Sequence, residues 1–199
     1  MTFLYDIGRV LLDFDFETSL ARLLPPGEGD PRTRLEPLLE RKDHFETGKI
    51  SEPEFIDWAL AKLGSTATPD EFRHAWRNIF TPNEPMWDAV HRLAKAGHQL
   101  ILFSNINAIH SPWIYEAYPR FELFHGAVMS FEVGAIKADP AIYLHALQRY
   151  HLDPHETRYI DDLPANIATG RQLGLRAWQY DLHDHPPFET WLEQELARG

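Results

Sequence analysis

At 199 residues, with 44% hydrophobic and 25% charged side chains, the chain can build one proper core, or one core with an insertion, and has the make-up of an ordinary soluble globular protein. Its net charge of −11, with 11 histidines counted neutral, argues against nucleic acid or an anionic membrane surface as a partner, because phosphate binding needs a basic face; a small phosphorylated substrate stays open, since a local metal can reverse the sign of the field. The lack of cysteine removes disulfides, thiolate metal sites and cysteine nucleophiles, and a first segment that places Asp6 and Arg9 before any useful apolar stretch has neither signal-peptide nor transit-peptide character, so a cytoplasmic location is expected.

Phe3-Leu4-Tyr5 is an apolar run that stops at Asp6, too short for a helix and suited to a buried strand. Val10-Leu11-Leu12 continues the extended character after a glycine break at Gly8. From Glu17 the spacing turns helical, with Leu20, Leu23 and Leu24 on one face. Pro25 to Pro31 is a loop by composition, and Leu35, Leu38 and Leu39 begin a second helix that Gly48-Lys49 breaks. Ser51-Glu52-Pro53-Glu54 starts a third, with Phe55, Trp58, Ala59 and Leu63 as its apolar face. Thr68-Pro69-Asp70-Glu71 starts a fourth, with Phe72, Trp76 and Ile79 on one side.

Helices and strands then alternate. A helix from Pro85 to Ala96 precedes a continuous apolar strand, Leu100 to Phe103, that stops at Ser104-Asn105. Ala127-Val128-Met129 is a short strand, and Ala141 to Tyr150 a helix. Arg158-Tyr159-Ile160 is a strand ending at Asp161-Asp162. A helix from Pro164 to Leu173, a strand from Arg176 to Tyr180 and a last helix from Pro186 to Ala197 complete the chain.

Such alternation predicts an α/β fold: a doubly wound parallel-sheet, Rossmann-like core from residues 1–15 and 81–199, with a small helical cap, residues 16–80, inserted after the first strand. In open parallel sheets the ligand site lies at the carboxyl ends of the strands. Three of those ends carry polar groups: Asp6, Ser104-Asn105 and Asp161-Asp162. A carboxylate there can attack a phosphoryl group. Two more carboxylates would repel it unless a divalent cation binds, and an oxygen-rich site suits Mg²⁺. A serine hydroxyl can hold phosphoryl oxygens, and Lys137, between the second and third strand ends, would balance the negative charge.

Four segments in order, YDIGRVLLDFD, LILFSNIN, GAIKADPAIY and YIDDLPANI, resemble the motifs of the haloacid dehalogenase-like hydrolase superfamily, and the resemblance covers nearly the whole chain. It implies Asp6 as nucleophile, Ser104, Asn105 and Lys137 as phosphoryl-binding groups, Lys137 as the catalytic lysine, and Asp161 and Asp162 as the metal-binding acidic pair with Asn166 in support. It implies Mg²⁺ held by Asp6, the Gly8 carbonyl and Asp162 with Asp161 nearby, and an aspartyl-phosphate intermediate. Phe45 to Ser51 is similar to a cap turn of the family's small sugar-phosphate phosphatases. The implied activity is thus a Mg²⁺-dependent phosphatase acting on a small phosphorylated metabolite such as a sugar phosphate. The alternatives are a haloacid dehalogenase-type hydrolase and a weakened relative that binds a phosphometabolite or a protein. Dehalogenases generally lack the acidic pair, which favours the phosphatase.

The chain departs from the family pattern at Gly8, where most phosphatases carry an aspartate that protonates the leaving group. Without it, leaving-group quality is expected to decide the rate. Ala138 replaces the usual proline, and a slightly looser loop is expected. Asp13 and Asp15 are expected on a hairpin outside the chemistry. Arg9 is open between a substrate contact and a surface position, and His110 and Trp113 lie near the expected cleft.

Overall fold

The computed structural model describes residues 1–198. At its centre is β1 (Thr2–Tyr5), whose Phe3, Leu4 and Tyr5 are all buried. A strand apolar on both faces needs cover on both. Beyond it the chain turns tightly: the Ile7 carbonyl accepts from the N–H groups of both Leu11 and Leu12. It then forms β2 (Leu12–Phe14), which pairs antiparallel with β3 (Phe80–Pro82). This two-stranded ribbon carries the chain out to the helical block and back.

The block holds α1 (Phe16–Leu20), α2 (Pro31–Leu35), α3 (Lys42–Glu46), α4 (Glu52–Leu63) and α5 (Pro69–Arg77), with 3-10 turns at Ala21–Leu23 and Glu36–Arg41. Its two longest helices start where the sequence provides caps. Ser51 with Glu54, and Thr68 with Glu71, form reciprocal capping boxes with proline in the first turn. Gly64, at φ 62°, closes α4 in the left-handed conformation. The block has its own apolar cluster, in which Phe45 stacks on Phe55 at 4.2 Å between ring centroids and Phe72 on Trp76 at 5.5 Å. Burying a side chain such as Phe55 contributes about 1.5–3 kcal/mol.

The remaining chain runs α6 (Glu84–Lys95), β4 (Gln99–Ser104), α7 (His110–Ala117), β5 (Gly126–Met129), α8 (Ser130–Val133), α9 (Pro140–Arg149), β6 (Thr157–Asp161), α10 (Pro164–Gln172), β7 (Arg176–Gln179) and α11 (Pro186–Leu196). Five strands make one parallel sheet in the order β5-β4-β1-β6-β7. Because side chains alternate, Phe3, Tyr5, Leu100 and Leu102 join one apolar cluster with Trp87 and Phe188. Leu4, Ile101 and Phe103 join the other with Tyr143, Tyr159 and Ile167. Tyr5 pairs with both Leu102 and Ile160, so the next positions, Asp6, Phe103 and Asp161, lie at one level by the carboxyl ends of the three central strands.

Candidate active site

The order β5-β4-β1-β6-β7 reverses direction at β1, so a crevice opens at its carboxyl end. Asp6 stands there, 8% exposed. Its Oδ1 accepts the Ile7 N–H at 2.8 Å and faces the Lys137 Nζ at 2.9 Å. Burial pushes the Asp6 carboxyl up to about 7; Lys137 opposes this, Asp161 adds to it, and a hydrogen bond from Ser104 pulls it down.

Lys137 is almost completely buried. Its ammonium donates to Asp161 Oδ2 at 2.6 Å and to the Phe103 carbonyl at 2.8 Å, besides pairing with Asp6. Burial works against its charge, but Asp161 and Asp6 more than offset that and hold its pKa above the usual lysine range. The loop around it is clamped. Asn105 donates to the Lys137 carbonyl at 3.0 Å and accepts from the Lys137 N–H at 2.8 Å, and Thr169 donates to the Ala138 carbonyl at 3.0 Å. These bonds hold the loop at Lys137-Ala138, where proline is lacking. The Asn105 side chain commits its carbonyl oxygen and one N–H to the lysine backbone, which leaves one N–H of Nδ2 for the expected phosphoryl contact. Ser104 is 2% exposed and follows Phe103 at the end of β4.

Asp161 is fully buried and accepts four hydrogen bonds. Leu163 N–H and Asn166 Nδ2 donate to Oδ1, each at 2.9 Å; Lys137 Nζ and the Tyr159 hydroxyl donate to Oδ2, each at 2.6 Å. A carboxylate so occupied contributes charge and anchors the lysine. Asp162 is different: it is partly exposed, and no other side chain donates to its carboxylate among the described residues. Burial and then Asp161 raise its pKa, while Lys137 and Arg9 oppose the rise. One oxygen from each of Asp6, Asp161 and Asp162 lies within 4.8 Å of the others. None of the turn's backbone hydrogen bonds uses the Gly8 carbonyl. These hard oxygen donors, beside a single ammonium, fit a small divalent cation such as Mg²⁺.

Gly8 does not have the positive φ that would require a glycine; its neighbour Arg9 does, at φ 58°. Arg9 pairs with Asp13 and lies over the Phe14 ring at 4.4 Å. Asp13 also accepts the Phe14 N–H, and Asp15 caps α1 by accepting from Thr18. Both acids are thus occupied locally. Tyr159, which sequence reasoning took only as strand, sits two residues before Asp161, and strand alternation puts the two side chains on one face. That spacing was the available signal. His110 lies at the junction of core and helical block: it stacks on Trp76 at 5.6 Å, and its Nε2–H donates to the Trp76 carbonyl at 2.8 Å. Trp113 packs under the Arg77 guanidinium at 4.3 Å.

Comparison with known proteins adds four similarities. The family model for haloacid dehalogenase-like hydrolases matches residues 15–174, a stretch that begins after Asp6. A D-ribitol-5-phosphate phosphatase from Bacteroides thetaiotaomicron is 27% identical over 184 residues, covering 88% of this chain and 89% of that protein. Among solved structures, a HAD family enzyme from the same organism, as a magnesium complex, superimposes with a TM-score of 0.79 at 21% identity, covering 95% of this chain and 97% of that one. A protein described as a predicted HAD-like family hydrolase from Porphyromonas gingivalis gives a TM-score of 0.77 at 26% identity, with 97% of each chain covered. Among the described residues no helix is long and apolar enough to cross a membrane.

Proposed function

The chain belongs to the haloacid dehalogenase-like hydrolase family, and from that premise we propose that it is a Mg²⁺-dependent phosphatase of small phosphorylated metabolites. The observation that carries the reading is Asp6 fixed against Lys137, with oxygens of Asp161 and Asp162 within 4.8 Å. The similarity to a D-ribitol-5-phosphate phosphatase directs the substrate class toward phosphorylated sugars and sugar alcohols.

Asp6, the Gly8 carbonyl and Asp162 would hold the Mg²⁺, with Asp161 nearby; when bound, the ion neutralises charge on the phosphoryl oxygens. The chain's own groups do the rest. Lys137 orients the Asp6 carboxylate and balances the acidic cluster. Asp161, Tyr159 and Asn105 hold Lys137 in place. Ser104, within hydrogen-bond reach of Asp6, would donate its hydroxyl to a phosphoryl oxygen. Asp6 attacks phosphorus, the bond to the leaving oxygen breaks, and water then attacks the aspartyl-phosphate to release inorganic phosphate and the free carboxylate. A cluster of three carboxylates around one lysine makes the dehalogenase alternative the weaker reading.

The test is release of inorganic phosphate from a panel of pentose, hexose and polyol phosphates, with Mg²⁺ and with EDTA. We expect activity that EDTA removes and that Asp162→Ala reduces by 10²-fold or more, roughly the loss of a transition-state charge partner. Turnover indifferent to both EDTA and Asp162→Ala would overturn the reading, as would halide release without phosphate release.

A further inference from the structure

Glycine at position 8 leaves the core side of the site without a side chain to protonate the departing oxygen. The core acids are committed: Asp6 to attack, Asp161 to four hydrogen bonds, and Asp13 and Asp15 to Arg9 and Thr18. In phosphoryl transfer the attacking and leaving oxygens lie in line on opposite sides of phosphorus. With Asp6 at the end of β1, the leaving oxygen points away from the sheet, toward the helical block.

Glu46, the last residue of α3, is in that block. It is 9% exposed, and its Oε2 is fully buried without a hydrogen-bond partner; no other carboxylate oxygen of the described residues is in that state. Its nearest cation, the half-exposed Lys42, stands 3.6 Å away, too far to hydrogen-bond. The turn that follows is pressed onto the core: a Cβ on Gly48, at φ 67°, would sit 2.4 Å from the Phe131 carbonyl of α8. The Glu46 carboxyl is therefore enclosed where the block meets the core, and the field of Lys137 reaches it. Burial raises its pKa, Lys42 and Lys137 oppose the rise and Asp43 reinforces it. An orphaned buried carboxylate is costly; the protonated carboxyl costs far less and keeps a proton to give to an incoming ligand.

We propose that Glu46 is the proton donor to the leaving oxygen, supplied from the cap in place of the side chain Gly8 lacks. The inference rests on the phosphatase reading. As Asp6 forms its bond to phosphorus, the bond to the leaving oxygen breaks, its electron pair stays on that oxygen, and the Glu46 proton joins it to give the alcohol. The resulting Glu46 carboxylate takes a proton from water as that water attacks the aspartyl-phosphate, which returns Glu46 to its protonated form and frees Asp6 and phosphate. The acid thus comes from the helical block, and the strong leaving-group dependence expected from Gly8 alone disappears in the native enzyme.

The experiment measures kcat/KM for a leaving-group series, from polyol and sugar phosphates to p-nitrophenyl phosphate, in wild type, Glu46→Gln and Glu46→Gln/Gly8→Asp. Glutamine is isosteric and keeps no acidic proton. We expect a shallow dependence in wild type. Glu46→Gln should lose about 10²–10⁴-fold on the alkyl phosphates and only a few-fold on p-nitrophenyl phosphate, because kcat/KM reports the first phosphoryl transfer and nitrophenolate leaves without a proton. A burst of nitrophenol should then mark an aspartyl-phosphate that hydrolyses slowly. The double variant should recover part of the alkyl phosphate activity. An equal loss across the series, or none, would overturn the role of Glu46 while leaving the phosphatase reading intact. Wild type inactive on every ester would overturn both.

Discussion

His110 is where a single proton should be felt most strongly in the stability of this fold. The imidazole is buried, and its neutral tautomer is fixed from both sides. Nε2–H donates to the Trp76 carbonyl, and Nδ1 accepts from Asn107 Nδ2 at 3.1 Å. The Asn107 amide has no freedom to invert, since its Oδ1 already accepts the N–H groups of Ile109 and His110. A second proton on the ring would face an NH₂ group, at the first turn of α7, where the helix dipole also disfavours positive charge. Burial accordingly lowers the His110 pKa from 6.5 to about 4. At roughly 1.4 kcal/mol per pH unit, protonation costs the folded state about 3 kcal/mol. The folded form binds fewer protons than the unfolded form between these values, so stability is full above pH 6.5 and declines toward pH 4. The perturbation is His110→Gln, which removes the titration and keeps a donor for Trp76. The assay is urea unfolding from about pH 7.5 to about pH 4.5. Wild type should lose about 1.4 kcal/mol relative to the variant by about pH 5.5, and about 2.6 by about pH 4.5. Parallel pH profiles for the two proteins would refute the reasoning.

Two further substitutions test the site by stability. Lys137→Met leaves the saturated Asp161 as an uncompensated buried charge, while Asp6, already pushed up to about 7 with the lysine opposing the rise, takes a proton once the lysine is gone; the change should cost about 3–5 kcal/mol near neutral pH, and a loss below about 1 kcal/mol in urea melts would mean that the ammonium does not balance the cluster. Gly8→Asp should fold, because the backbone there is not left-handed and the new Cβ meets only the Phe14 ring, at 3.2 Å; we expect a cost of about 1 kcal/mol from crowding, and a loss beyond about 3 kcal/mol in thermal or urea melts would show that the ring cannot give.

Strand ends were legible because the chemistry changes abruptly there. Phe3-Leu4-Tyr5, Leu100 to Phe103 and Tyr159-Ile160 each run apolar until a polar side chain, and a parallel sheet places such boundaries together. Capping boxes made the starts of α4 and α5 equally plain. β3 was not legible: Phe80-Thr81-Pro82 has no periodicity of its own and becomes a strand only by pairing with β2. Nor were α7 and the 3-10 turns, where proline, loop residues and packing decide the local geometry. Within the site, the acidic pair reads as two similar residues, yet burial and partners separate the saturated Asp161 from the open Asp162. Asn105 could be placed beside the cleft but not aimed, since its target is the backbone of a residue far along the chain. Glu46 was legible as part of a cap turn bearing on substrate preference, but not as an enclosed acid, because enclosure between two layers has no sequence pattern.

The ribbon of β2 and β3 has a consequence for how this molecule can vary. Phe14 faces Phe80, so the helical block is spliced into the core at a single rung of a ladder. Whatever lies between those two residues need only bring its ends to that spacing; the sheet, the lysine clamp and the acidic cluster do not register its length or shape. A different helical insert could be exchanged at the same rung and the core would still close. The block could equally tilt as one piece, with the ribbon as its flexure and the His110–Trp76 bond as its latch. If Glu46 is the proton donor, such an exchange would carry the acid away with it, so a grafted lid would have to bring its own.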